Sequence, residues 1–155
     1  MTTAGPSATQ GGAANPNSQD AASSAEAPST GMKSWLSAHV QVLRKAYENL
    51  ENNEFRGSAL KDFIEVANEM RGHAEGMGYP LAGNVAECLC RLLGETPDAE
   101  RLPRVLVRQH VDAIRAIVAE DAAGDTNSLA SAIVAKLRDV TDDFIAGEAK
   151  RANAA

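Results

Sequence analysis

From Met32 onward the apolar residues recur at intervals of three and four, and no segment alternates with the period of two that a strand requires. Only helices satisfy this spacing. Leu36, Val40, Leu43, Tyr47 and Leu50 form a first stripe that ends near Asn52 and Asn53, and Leu60, Phe63, Ile64, Ala67, Met70, Ala74 and Met77 form a second. Gly78 suits the end of that second helix and Pro80 the first turn of a third, because proline lacks only an N–H that a first turn leaves unpaired anyway.

The third stripe is Leu81, Val85, Cys88, Leu89 and Leu92, and Ala82, Ala86, Cys90 and Leu93 make a second side of the same helix apolar. An element packed on two sides reads this way. Gly94 closes it, and Thr96-Pro97-Asp98 or Pro103 opens a fourth helix with Val107, His110, Val111, Ile114, Ile117 and Val118 on one face. After a break at Gly124, Asp125 or Thr126 can cap a fifth helix whose expected inward stripe is Leu129, Ile133, Leu137, Val140 and Phe144. Five amphipathic helices on short links predict an all-α helical bundle, and no internal repeat suggests a solenoid.

Residues 1–31 are rich in Ala, Ser, Thr, Gly, Pro and Asn, without Lys, Arg or a large apolar residue after Met1. Such a segment has too little apolar surface to offset the entropy of ordering it. The expected organisation is a disordered N-terminal leader over 1–31, a helical bundle over 32–150 and a disordered tail over 151–155.

A net charge of −6, with no block of Lys and Arg interleaved with aromatics, argues against nucleic-acid binding. No apolar run reaches the roughly 18 residues that a bilayer span needs, and no secretory signal opens the chain. The expectation is a cytoplasmic monomer with no membrane attachment and no cofactor. Cys88 and Cys90 point in different directions on a helix, so reduced thiols are expected rather than a disulfide or metal pair. His39 and His110 fall close to apolar stripes and have no partner at metal-ligand or triad spacing, which fits partly buried, hydrogen-bonded side chains. Arg91, Arg101, Arg104 and Arg108 form either a basic patch or a solvated face.

One feature of the second helix needs a separate reason. Each glycine inside a helix costs roughly 0.5–1 kcal/mol relative to alanine. A wheel at about 100° per residue puts Asn68, Gly72 and Gly76 in one row beside the core stripe, with Glu65 and Glu69 next to it. A row without side chains lets another protein's backbone come close, so it is a candidate docking surface; Gly76 is also readable as part of the helix end with Gly78.

Asn68-Glu69-Met70-Arg71-Gly72, followed by Gly78, resembles the His-x-x-Lys-Gly motif on the second helix of histidine-phosphotransfer (HPt) domains. Gly78-Tyr79-Pro80-Leu81, Glu87-Cys88-Leu89-Cys90-Arg91-Leu92-Leu93 and His110-Val111-Asp112-Ala113-Ile114 are similar to one bacterial subgroup of that family, so the likeness covers about residues 55–120. The resemblance implies an HPt-like up-and-down four-helix bundle with one additional helix, in a two-component phosphorelay, with a response-regulator receiver domain or a histidine kinase as partner.

It further implies that Asn68 occupies the phosphoacceptor position, that Arg71 takes the charge role of the family's lysine, and that Gly72 takes the docking role. An amide lone pair is delocalised into its carbonyl, so Asn68 cannot act as the nucleophile that a neutral imidazole is near pH 7. The expected function is therefore docking through Glu65, Asn68, Glu69, Arg71, Gly72 and Gly76 without phosphate acceptance. Two alternatives stand beside it: an active phosphotransfer protein using His73, about 140° around the helix from Asn68, and a helical scaffold or oligomerisation module.

Overall fold

The computed structural model describes residues 30–120 and 128–154. Those residues fold into helices α1 (Thr30–Asn52), α2 (Gly57–His73), α3 (Pro80–Glu95), α4 (Arg104–Ala119) and α5 (Ser128–Ala154), with a 3₁₀ turn at Ala99–Arg101; no strand occurs among them. The expected leader, the break at Gly124 and the caps at Asp125 and Thr126 lie outside the described residues, apart from Thr30 and Gly31, which begin α1. Residues 151–154, expected as a tail, continue α5.

Helices α1, α2, α3 and α4 pack on one another in sequence, and α4 returns to α1, so the four close a ring around one core. Helix α5 lies outside the ring against α3 and α4. The stripe of α1 is buried residue for residue as the spacing predicts: Leu36, Val40, Leu43, Tyr47 and Leu50. On α3 both apolar sides carry buried residues, because this helix is flanked by three neighbours, α2, α4 and α5.

The connections carry their own signals. The coil of α2 runs on past His73 through an irregular turn that ends at Gly78, whose φ is +94°. The Gly78 N–H donates to the Glu75 carbonyl at 3.0 Å and the Tyr79 N–H to the Ala74 carbonyl at 2.9 Å. That pair of bonds is a Schellman end, which satisfies two carbonyls the helix would otherwise leave open. Pro80 then starts α3, and the Asp98 carboxylate accepts from the Glu100 N–H at 3.0 Å to cap the 3₁₀ turn.

Between α1 and α2 the chain makes a tighter reversal, with Glu54 and Phe55 both at positive φ (58° and 60°). Left-handed backbone is unfavourable for side chains of this size. Burial of Phe55 offsets it: the ring is fully enclosed, edge-on to Tyr47 at 6.0 Å, and covered by the Arg104 guanidinium at 4.8 Å.

Helix α5 corrects the sequence expectation. Of Leu129, Ile133, Leu137, Val140 and Phe144, only Leu137 is buried; Phe144 is half-buried, and Leu129, Ile133 and Val140 are exposed. The inward face is Ala130, Val134, Leu137 and Thr141. Small residues suit it, since α5 settles in the groove between two helices that already have a core. Polar anchors fix its rotation: Arg91 of α3 donates to Asp142 at 2.6 Å, and Arg101 donates two bonds to Glu148 at 2.8 and 2.7 Å.

Buried between α3, α4 and α5 is the strongest of these anchors. The His110 Nδ1–H donates to the Leu106 carbonyl at 2.8 Å, which leaves Nε2 to accept from the Thr141 hydroxyl at 3.2 Å. Both side chains are fully enclosed. Burial holds the His110 pKa below its ordinary 6.5, against the opposing effect of the Leu106 bond, so the ring is neutral. Thr141 also hydrogen-bonds Cys88, whose thiol burial pushes up in pKa. Cys88 is buried, Cys90 is half-buried and both are free, as the spacing predicts.

Candidate functional site

The outer face of α2 carries Glu65, Asn68, Glu69 and Gly72, all exposed. Gly72 lies in the last turn of regular helix, and a Cβ built there meets no atom within 4 Å. No packing among the described residues therefore asks for a glycine at this position. Gly76 is different: it is exposed but sits in the irregular turn before the Schellman end, where a Cβ would touch only the His73 carbonyl at 3.7 Å. It belongs to the helix terminus and extends the open face by one turn rather than completing a regular row.

The flanks of this face are chemically unlike. On the α1 side, Glu69 Oε1 lies 3.6 Å from His39 Nε2. Trp35 stacks flat on His39, with ring centroids 4.7 Å apart and planes 10° apart, and meets the His73 ring edge-on at 5.2 Å. His73 is exposed, and its place is beside Trp35 rather than over Gly72. Trp35 itself keeps 38% of its surface, and Met32 one turn earlier is also exposed. The flank therefore offers apolar surface directly beside the glycine face.

His39 is the strained member of this group. Its Nε2 is buried without a hydrogen-bond partner, and burial lowers its pKa from 6.5; the Glu69 carboxylate opposes that shift, His73 adds to it, and a backbone bond at Val66 opposes it. The expected satisfied histidine thus holds for His110 and only in part for His39.

On the α3 side stands Arg71, exposed at the helix surface. Its guanidinium opposes the rise that burial causes in the Cys90 thiol pKa, which places its charge toward α3 and away from Glu69. Asn68 accordingly has an arginine about 60° to one side and the two carboxylates about 60–100° to the other. An arginine can hold an anion in a forked pair of bonds. The carboxylates repel one.

Sequence reasoning missed Trp35 entirely. Its signal was present, because Trp35 and His39 are four residues apart on one helix and such pairs stack. The four arginines read as a possible patch prove to be structural: Arg91 and Arg101 anchor α5, Arg104 donates to the Glu54 carbonyl at 3.2 Å, and Arg108 lies 3.8 Å from Asp112.

An open groove of about 500 Å³ lies elsewhere, between α1 and α4, lined by Ser37, Gln41, Arg108, Asp112 and Arg115 among others. No residue of α2 borders it. Its two arginines share Asp112, at 3.8 and 3.5 Å. No group of three or more metal-ligating side chains is found among the described residues. None of their helices is long and apolar enough to cross a membrane.

The arrangement is that of a helical bundle with a flat, glycine-bearing helix face rimmed by a tryptophan, two carboxylates and an arginine. Comparisons with family models, with curated proteins and with solved structures return no match.

Proposed function

We propose that this protein is a degenerate HPt-like docking protein of a two-component phosphorelay. It binds a response-regulator receiver domain or a histidine kinase through the outer face of α2 and does not accept phosphate. The observation that carries the reading is Gly72, a helix glycine that no contact among the described residues requires and that leaves a bare patch for a partner's backbone. Trp35, half out of the core beside it, supplies the kind of aromatic anchor that dominates binding energy at protein interfaces.

Asn68 stands at the centre of the face, where the family resemblance puts the phosphoacceptor histidine. Its amide is no nucleophile, and the neighbouring Glu65 and Glu69 disfavour a phosphoryl group. Occupancy of the partner, rather than transfer, is the mechanism that follows. The parent chain incubated with phosphorylated receivers acquires no label, whereas Asn68→His restores acceptance if the remaining site is intact.

His73 is the competing acceptor, favoured by its exposure. Label on the parent that disappears in His73→Gln would establish that alternative and reject the docking-only reading. Label that survives the substitution would exclude His73.

A further inference from the structure

Helix α5 presents a second apolar face that its packing on α3 and α4 leaves uncovered. Leu129, Ile133 and Val140 are 73%, 41% and 38% exposed, and all three fall within about 40° of one another on the helix wheel. Lys136 and Asp143 sit together along one edge of this line, and Gly147 continues it.

We propose that this face pairs with the same face of a second copy of the chain, in an antiparallel homodimer with Val140 on the two-fold axis. This goes beyond the docking function and replaces the monomer expected from the sequence.

The centre of the face, from Ile133 to Gly147, is complementary to itself. A two-fold axis through Val140 brings residues equally far before and after it opposite each other, at about 1.5 Å of rise per residue. Ile133 precedes Val140 by seven positions and Gly147 follows it by seven, so each Ile133 meets the partner's Gly147. A Cβ at Gly147 would meet nothing within 4 Å among the described residues. This glycine in the interior of an exposed helix has no reason within one chain, and it leaves room for an isoleucine from the other.

The charges follow the same symmetry. Lys136 lies four positions before the axis and Asp143 three after it, which sets them within about one residue rise of each other across the interface. Because the axis keeps an edge facing its own copy, the pair forms twice.

The obvious intramolecular occupant fails on chemistry. Residues 1–29 contain no large apolar side chain after Met1 with which to cover leucine, isoleucine and valine. The face is also separate from the proposed docking surface, since α5 packs on α3 and α4 and makes no packing contact with α2.

Sedimentation equilibrium of the full chain over a wide concentration range tests the proposal, with circular dichroism melting to verify that each variant folds. The mass is expected to rise from 16.3 kDa toward twice that value. Val140→Glu is expected to hold it at the monomer. Lys136→Glu, which alters only an exposed side chain, should weaken association roughly tenfold, and adding Asp143→Lys should restore it. A chain that stays at 16.3 kDa throughout, a dimer indifferent to Val140→Glu, or a double reversal that fails to restore association would each overturn the inference. Receiver binding through α2 is measured separately and is unaffected by any of these outcomes.

Discussion

Replacing Thr141 by valine removes one hydroxyl and almost no volume, and with it both the buried bond that ties α5 to α4 and the bond to Cys88. In the parent, His110 Nε2 has the Thr141 hydroxyl at 3.2 Å, and its other nitrogen is committed to Leu106 at 2.8 Å. With both side chains fully enclosed, water cannot replace the lost donor. A buried acceptor left unpaired costs about 1–3 kcal/mol, against about 0.5 kcal/mol for an ordinary surface change.

Urea unfolding reads this as a midpoint lowered by about 1 M, taking a slope of roughly 1–3 kcal/mol per molar for a chain of this size. The same substitution made in a His110→Leu background should cost less, because no acceptor is then stranded. A change below about 0.5 kcal/mol, or the same loss in both backgrounds, would refute the reasoning that the pair is coupled.

Mild acid should weaken the fold. Burial lowers both His39 and His110 below 6.5, so the unfolded chain binds protons more readily than the folded one. Stability is then fully present above about pH 6.5 and is lost as the pH falls through the depressed folded values; urea midpoints at about pH 7.5 and about pH 5.5 measure it, and an unchanged midpoint would contradict the assignment. Phe55→Ala should cost about 3–5 kcal/mol in the same assay, since it empties a fully enclosed site and leaves the left-handed turn without the burial that offsets it. Gly72→Ala should raise the unfolding free energy by roughly 0.5–1 kcal/mol, because its new Cβ meets open space.

Helical spacing made much of this fold legible. The stripe of α1 and both sides of α3 were readable because each is continuous and formed mostly of large apolar residues. Helix α5 was not. Periodicity selects the largest apolar residues, whereas Ala130 and Thr141 face inward with Val134 and Leu137 because Arg91 and Arg101 fix the rotation from 51 and 47 residues away. No local pattern encodes such distant pairs.

Of the candidate site, the wheel recovered the exposure of Asn68 and Gly72 and the separation of His73 from them. It could not recover the end of regular helix before Gly76, which depends on the backbone bonds that Gly78 and Tyr79 make to Glu75 and Ala74. The Trp35, His39 and His73 cluster joins two helices, so only their packing reveals it.

The central claim is that the bare face at Gly72 exists for a partner. Titration of the parent and Gly72→Arg against purified receiver domains, followed by calorimetry, tests it most directly. The account predicts saturable binding by the parent and its loss in Gly72→Arg, with both proteins equally folded because the position is open to solvent. Equal binding by the two would remove this face as the docking surface.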